Sequence, residues 1–81
     1  MERNVRFFTS EEISEIYQDC IEERIIEQGR WLTYKLGIIE EDGHFYPIRW
    51  AEGNTEHQEN EFEDQEATEC FKVKKTVEVW E

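Results

Sequence analysis

Residues 31–50, WLTYKLGIIEEDGHFYPIRW, decide the fold of this chain because two strand-forming runs flank a turn there. The runs are rich in β-branched and aromatic residues, which favour strands. Between them, Glu41-Asp42-Gly43 is typical of a hairpin turn. The sequence therefore predicts a β-hairpin with strands at 31–39 and 44–50.

Two registers are open to this hairpin. A two-residue turn at Asp42-Gly43 would place Ile38 opposite Pro47 and mix polar and apolar side chains on each face. A three-residue loop with Gly43 left-handed would pair apolar residues instead. The pairs would be Ile38 with Tyr46, Leu36 with Ile48, and Tyr34 with Trp50. We predict the second register, because only it produces one continuous apolar face.

Residues 10–28 carry the pattern of an amphipathic helix. Thr9 followed by Glu12 is the signature of a capping box at a helix start. Apolar residues then recur at steps of three and four, and Gly29 offers a stop. This stripe consists of Ile13, Ile16, Tyr17, Cys20, Ile21 and Ile25. A helix over 10–28 is the natural cover for the apolar face of the hairpin.

Strands are also predicted near both ends of the chain. Residues 3–8 alternate in part and include Phe7 and Phe8, and alternation returns over 70–80, where Lys75 marks a bend or an edge. The predicted fold is α+β, with one amphipathic helix packed on an antiparallel sheet of 3–4 strands in β-α-β-β-β order. We expect a single domain over 1–81, with an acidic connecting segment at about 51–69.

Size and charge exclude several classes of protein. The chain has 81 residues, 21 acidic and 9 basic, for a net charge of -12. So short a chain buries only about 60% of its unfolded surface, which excludes large enzyme folds. Hydrophobic residues make up 37% of the chain, too many for a disordered protein. Its acidity disfavours direct binding to nucleic acid or to an anionic membrane.

Motifs for catalysis are missing from the sequence. It contains no phosphate-binding glycine loop, no H-E-x-x-H, no nucleophile elbow and no EF-hand spacing. Close pairs of carboxylates arise here from composition alone. We therefore expect a protein that is not an enzyme and that uses no cofactor and no metal.

The cysteines and histidines support the same interpretation. Cys20 and Cys70 lie far apart, so they suggest a reduced, cytoplasmic protein rather than a disulfide or zinc framework. Cys20 belongs to the helix stripe, and we predict that Cys70 is a surface thiol. His44 is expected to be solvated at the turn. His57 lies among glutamates and leaves open a third hypothesis, a sensor of cations. No apolar run approaches the ~18 residues of a membrane span.

The acidic segment is the candidate site. Residues 52–69 contain eight acids and no lysine or arginine, and residues 36–70 contain 11 acids against one base, Arg49. If 52–69 were helical, one carboxylate would occur per about 3.4 Å, the axial charge spacing of a DNA strand. If the segment were extended, this match would fail. Phe62 is expected to be an apolar anchor ringed by acids.

We expect the hairpin tip and the acidic segment to form one negative pole that binds a partner. The candidate residues are Glu40, Glu41, Asp42, Glu52, Glu56, Glu59, Glu61, Phe62, Glu63, Asp64, Glu66 and Glu69. Such a pole would attract a basic surface and act in a salt-sensitive way. Basic residues elsewhere in the chain could instead neutralise it.

These observations lead to two functional hypotheses. The first is a small acidic inhibitor, of the kind that phages and mobile elements encode, which blocks a basic site on a larger protein, such as a nucleic-acid-binding site, by charge mimicry. The second is an assembly module that forms a homodimer through a sheet edge or an exposed aromatic face. Trp31 and Trp80 are the candidate anchors of that face, whereas Trp50 is expected in the core.

Overall fold

The structure is a computed structural model that describes residues 3–74 and 78–80, with residues 72–74 and 78–80 described through their backbone only. The elements are β1 (Val5–Phe8), α1 (Ser10–Ile16), β2 (Glu22–Gln28), β3 (Leu32–Glu41), β4 (His44–Gly53), β5 (Gln65–Thr68), β6 (Lys72–Lys74) and β7 (Glu78–Trp80). Strands β2, β3 and β4 form one antiparallel sheet, and β1–β5 and β6–β7 form two antiparallel pairs. The α+β class is confirmed, although the described residues form more strands than predicted.

The predicted helix over 10–28 is wrong in its second half. The capping box at Thr9 is present, but α1 ends at Ile16 and a 3₁₀ turn, Tyr17–Asp19, follows it. Residues 22–28 then form β2, paired with β3. The β-branched pair Ile25-Ile26 favours a strand. A third strand also stabilises a hairpin that would be marginal alone.

The hairpin is confirmed, but its predicted register is wrong. Glu41 lies opposite His44 and Ile38 lies opposite Pro47, so the turn contains only two residues. Both turn residues have positive φ, 52° at Asp42 and 81° at Gly43, as in the type I′ turn that matches strand twist. Apolar side chains can lie on both faces of the hairpin without destabilising it, because both faces contain buried residues, among them Ile39 and Ile38.

The core lies on the sheet face that carries Ile39, Tyr46, Ile48 and Trp50. Helix α1 contributes Ile13, which is fully buried, and Phe8 and Ala67 come from the β1–β5 pair. Trp50 is 4% exposed, as predicted. The helix therefore covers the sheet as expected, with a shorter apolar stripe. Strand β4 contributes the predicted residues to the covered face, whereas β3 contributes Ile39 in place of Leu36 and Ile38.

Gly37 makes this core possible. It lies on the core face of β3, opposite Ile48. A Cβ atom there would meet the Cys20 side chain and come within 2.8 Å of the Trp50 ring. The missing side chain therefore provides the space that Trp50 fills.

After β4 the chain returns along the free side of that strand. Ala51 pairs with Glu61 and Phe45 pairs with Cys70 in isolated antiparallel bridges, and β5 lies between these two points. The single strand predicted over 70–80 is divided into β6 and β7. The predicted role of Lys75 lies outside the described residues, as does the side chain of Trp80.

Candidate functional site

The acidic segment is not helical; it consists of strand residues, a turn with bends over residues 54–58, and irregular loop. Residues 52–69, all of which the structure describes, contain no helix. The spacing of one carboxylate per about 3.4 Å required a helix, so the geometric argument for nucleic-acid mimicry is lost. What the segment forms instead is an ordered loop, residues 54–63, which we call the acidic loop.

Asn54 anchors the start of the acidic loop to the turn between β2 and β3. Its backbone N–H donates to the Trp31 carbonyl at 2.9 Å, and its Nδ2 donates to the Gly29 carbonyl at 2.9 Å. Its Oδ1 accepts from the Thr33 hydroxyl at 2.6 Å. The side-chain amide of Asn54 thus acts as hydrogen-bond donor and acceptor at the same time. Together these bonds fix the direction in which the acidic loop leaves β4.

The end of the loop is held against β4. Glu61 and Ala51 exchange two backbone hydrogen bonds of 2.8 and 3.0 Å. The Gly53 N–H donates to Asn60 Oδ1 at 3.0 Å. A loop tied at both ends loses less conformational entropy when it binds a partner than a free one does.

Four glutamates of the acidic loop face solvent: Glu56, Glu59, Glu61 and Glu63. Within the described part of the chain none of the four has an ion-pair partner. Their charges are therefore uncompensated within those residues, and they are the part of the predicted site that the structure brings together.

Other predicted acids are occupied inside the molecule. Glu41 binds Arg6 at 2.9 Å, and Glu52 binds Lys35 at 3.2 Å and accepts from Trp50 Nε1 at 2.8 Å. These carboxylates hold the sheet and β1 in place. The predicted neutralisation by basic residues is thus real for these two acids.

Asp64 and Glu69 are also occupied. Asp64 accepts from the Ser10 N–H at the start of α1 at 2.6 Å. Glu69 is buried, and its two oxygens bind His44 Nδ1 at 2.5 Å and the Asn4 N–H at 3.3 Å. The His44 hydrogen bond is the main cause that holds the pKa of Glu69 below its usual range. His44 is therefore a structural partner and is only partly solvated.

Phe62 is not the exposed anchor that was predicted. It is half-buried and packs against the core, with its ring 5.1 Å from that of Tyr17. The apolar side chain points inward while its neighbours Glu61 and Glu63 face solvent. Phe62 thus fastens the acidic loop to Tyr17 of the 3₁₀ turn and to the core rather than to a partner.

The single negative pole is not formed. Glu40 and Asp42 are exposed at the hairpin tip, and the acidic loop lies at the other end of β4. A strand of that length spans about 33 Å. Glu66 is exposed on β5, between the two ends. The acids form separate groups, of which the acidic loop is the densest.

The cysteines are poor nucleophiles. Burial raises the pKa of Cys20 to about 11, with Glu23 and Asp19 adding to the effect. Cys70 is 6% exposed, so its prediction as a surface thiol is wrong, and burial raises its pKa too. His57 is exposed in the acidic loop. Among the described residues, no group of three or more His, Cys, Asp or Glu side chains is arranged to hold a metal ion.

Two surface features of the structure were not predicted from the sequence. One is a groove of about 750 Å³ on the sheet face opposite the core, with Leu36, Ile38 and Pro47 among its lining residues. Arginines and glutamates both line it, so it does not select a ligand by charge. The other is β2, whose residues are all exposed. The adjacent isoleucines at 25 and 26 were the available signal, because a helical stripe does not include Ile26.

In the described part of the chain, no helix has the length and apolar character needed to cross a membrane. Comparison with protein-family models, with curated proteins and with solved structures finds no match for this chain.

Proposed function

We propose that this chain is a small acidic, non-enzymatic binding protein that blocks a basic site on a larger protein, in the manner of inhibitors encoded by phages and mobile elements. One observation carries the proposal: an ordered loop presents Glu56, Glu59, Glu61 and Glu63 to solvent with no ion-pair partner among the described residues.

The order of the loop supports a binding role over mere solubility. An acidic segment that only keeps a protein soluble needs no fixed conformation. Here Asn54 makes hydrogen bonds to residues of the turn between β2 and β3, and Phe62 packs on Tyr17. A preorganised group of like charges attracts a basic surface at long range and binds it with a smaller entropic cost.

The test compares two variants of equal net charge. The loop variant carries Glu56→Gln, Glu59→Gln and Glu63→Gln. The control carries Glu11→Gln, Glu15→Gln and Asp19→Asn, three exposed acids outside the acidic loop. Asp64 and Glu69 stay unchanged because they bind other parts of the chain.

Tagged wild type and both variants are used for affinity purification from nuclease-treated lysate, followed by titration against the purified partner at about 0.05 and 0.5 M salt. We expect a basic partner whose affinity falls with salt and falls about tenfold in the loop variant alone. Equal loss in both variants, or binding that is indifferent to salt, would contradict a role for the acidic loop. Recovery of the protein alone would contradict the proposal itself.

A further inference from the structure

The groove on the sheet face opposite the core contains a row of residues that crosses all three strands. Arg24 of β2 lies opposite Leu36 of β3, and Leu36 lies opposite Arg49 of β4. Residues opposite one another in an antiparallel pair share a face, so two arginines flank a leucine in the lining of the groove. Because adjacent strands lie about 4.8 Å apart, the Cα atoms of the two arginines are separated by about 10 Å.

The side chains of Arg24 and Arg49 have no partner within the described part of the chain. Neither forms an ion pair or a side-chain hydrogen bond there, and neither lies over an aromatic ring. Each other arginine or lysine whose side chain the structure describes makes such a contact: Arg3, Arg6, Arg30 and Lys35. Although the chain has 21 acids and 9 bases, these two arginines therefore remain available to an external anion.

Apolar side chains lie beside the arginine row. In the next row of the same face Ile38 lies opposite Pro47, and both residues line the groove together with Leu36. Leu36 and Pro47 are half-buried, so they offer apolar surface to a ligand. The groove volume of about 750 Å³ lies within the range of pockets that bind small organic molecules.

We propose that this groove binds a small organic carboxylate, whose charged group is held between Arg24 and Arg49 and whose apolar body lies on Leu36 and Pro47. The planar guanidinium group of an arginine donates two parallel hydrogen bonds to a carboxylate. An arginine side chain is also long enough to reach the space above its cross-strand neighbour. The groove contains no residue of the acidic loop, so the proposal goes beyond the proposed function.

The acids of the groove favour a ligand with a single negative charge. Over the whole lining three glutamates balance three arginines, so total charge does not select a ligand, but the arginine row itself contains no acid. Glu23 binds Lys35 at 2.7 Å, and Glu22 and Glu66 lie outside the row. Repulsion from these acids and from the net charge of -12 increases with the charge of an anion. A carboxylate is therefore favoured over a phosphate, a nucleic acid or an acidic protein surface.

The experiment is a titration of the isotope-labelled full chain, followed by amide chemical shifts in NMR spectra at pH 7 and about 0.15 M salt. The probe is hexanoate. Hexanol, which lacks the charge, and acetate, which lacks the apolar body, are the control ligands. We expect hexanoate to bind with a Kd of about 1 mM or below, and each control ligand to bind about tenfold more weakly or less. The largest shifts should lie at Arg24, Leu36 and Arg49.

The variants R24Q and R49Q each remove one proposed contact with the carboxylate. R30Q is the matched control, because it removes the same charge from an exposed arginine outside the groove. We expect R24Q and R49Q each to weaken hexanoate binding about fivefold or more, and R30Q to change it less than about twofold. Hexanol should bind equally to all three variants. The amide spectra also verify that each variant folds.

No binding of hexanoate up to about 20 mM would overturn the proposal. Equal weakening in R30Q and the two groove variants, or equal affinity for hexanoate and hexanol, would also overturn it. Tighter binding of hexyl phosphate than of hexanoate would overturn the assignment of a carboxylate. The triple variant of the acidic loop keeps both arginines of the row, so it should bind hexanoate about as the wild type does. This proposal and the proposed function therefore fail separately.

Discussion

Strands β2 and β3 are neighbours in one sheet and each contains a pair of adjacent isoleucines, yet the two pairs differ in burial. Ile38 and Ile39 of β3 are 2% and 7% exposed, whereas Ile25 and Ile26 of β2 are more than half exposed. Strand β3 lies between β2 and β4; the core covers the face that carries Ile39, and Ile38 is buried on the opposite face. Strand β2 has only β3 beside it among the described residues. Burial therefore depends on what covers a strand, because the same kind of apolar side chain is buried in β3 and exposed in β2.

The largest effect on the free energy of unfolding is expected at a residue that the core buries. Ile48 of β4 is fully buried, so Ile48→Ala should lower the free energy of unfolding by about 3 kcal/mol. A loss of this size is a large part of the stability of so small a domain. Urea unfolding followed by tryptophan fluorescence measures it. A loss below about 1 kcal/mol would show that this face is not the core.

An intermediate effect is expected at Glu69, whose carboxylate joins His44 of β4 to Asn4, the residue before β1. The pKa of Glu69 is held low by His44 first and then by the Asn4 N–H, so its contribution to stability is present above about pH 4.3. That contribution is lost as pH falls below this value toward the lower pKa of the folded state. Glu69→Gln should be less stable than wild type at pH 7, and the gap should close in acid.

Urea unfolding between pH 7 and pH 3 measures this gap. Glu23→Gln is the control, because it removes an exposed ion pair of 2.7 Å between β2 and Lys35. Such pairs contribute little, so its loss at pH 7 should be smaller than that of Glu69→Gln. A gap for Glu69→Gln that stays constant from pH 7 to pH 3 would contradict the role assigned to its carboxylate.

The smallest effect on the free energy of unfolding is expected in the exposed strand β2. Ile25→Ala should change the free energy of unfolding by less than about 0.5 kcal/mol, since the side chain is more than half exposed. The measurement uses micromolar protein, so that self-association does not contribute. A loss similar to that of Ile48→Ala would show that β2 is covered within one chain, and it would remove the contrast between the two strands.

Local signals predicted much of the fold. The capping box at Thr9, the hairpin of β3 and β4, the first strand and the burial of Trp50 were all predicted. Each depends on neighbours in sequence or on one strongly apolar residue. The helix limit and the hairpin register failed because each depended on which faces would be covered, and a periodic pattern does not contain that information.

The sequence predicted which acids belong to the candidate site, and the structure corrected how those acids are arranged in space. The four loop glutamates remain together and exposed. Glu52, Asp64 and Glu69 were predicted to face a partner and instead bind Lys35, Ser10 and His44. Nothing local distinguishes these acids from their neighbours, because their partners are distant in sequence.

The sequence by itself determined that this is a small, acidic, α+β chain with a hairpin at its centre, since charge, length and short-range turn chemistry need no tertiary contact. Tertiary structure decided which isoleucines are buried, which carboxylates are paired and which strand edge is open. The physical reason is that burial and pairing depend on the groups that meet in space. In a core this small, one chain cannot cover every apolar side chain that its sequence provides.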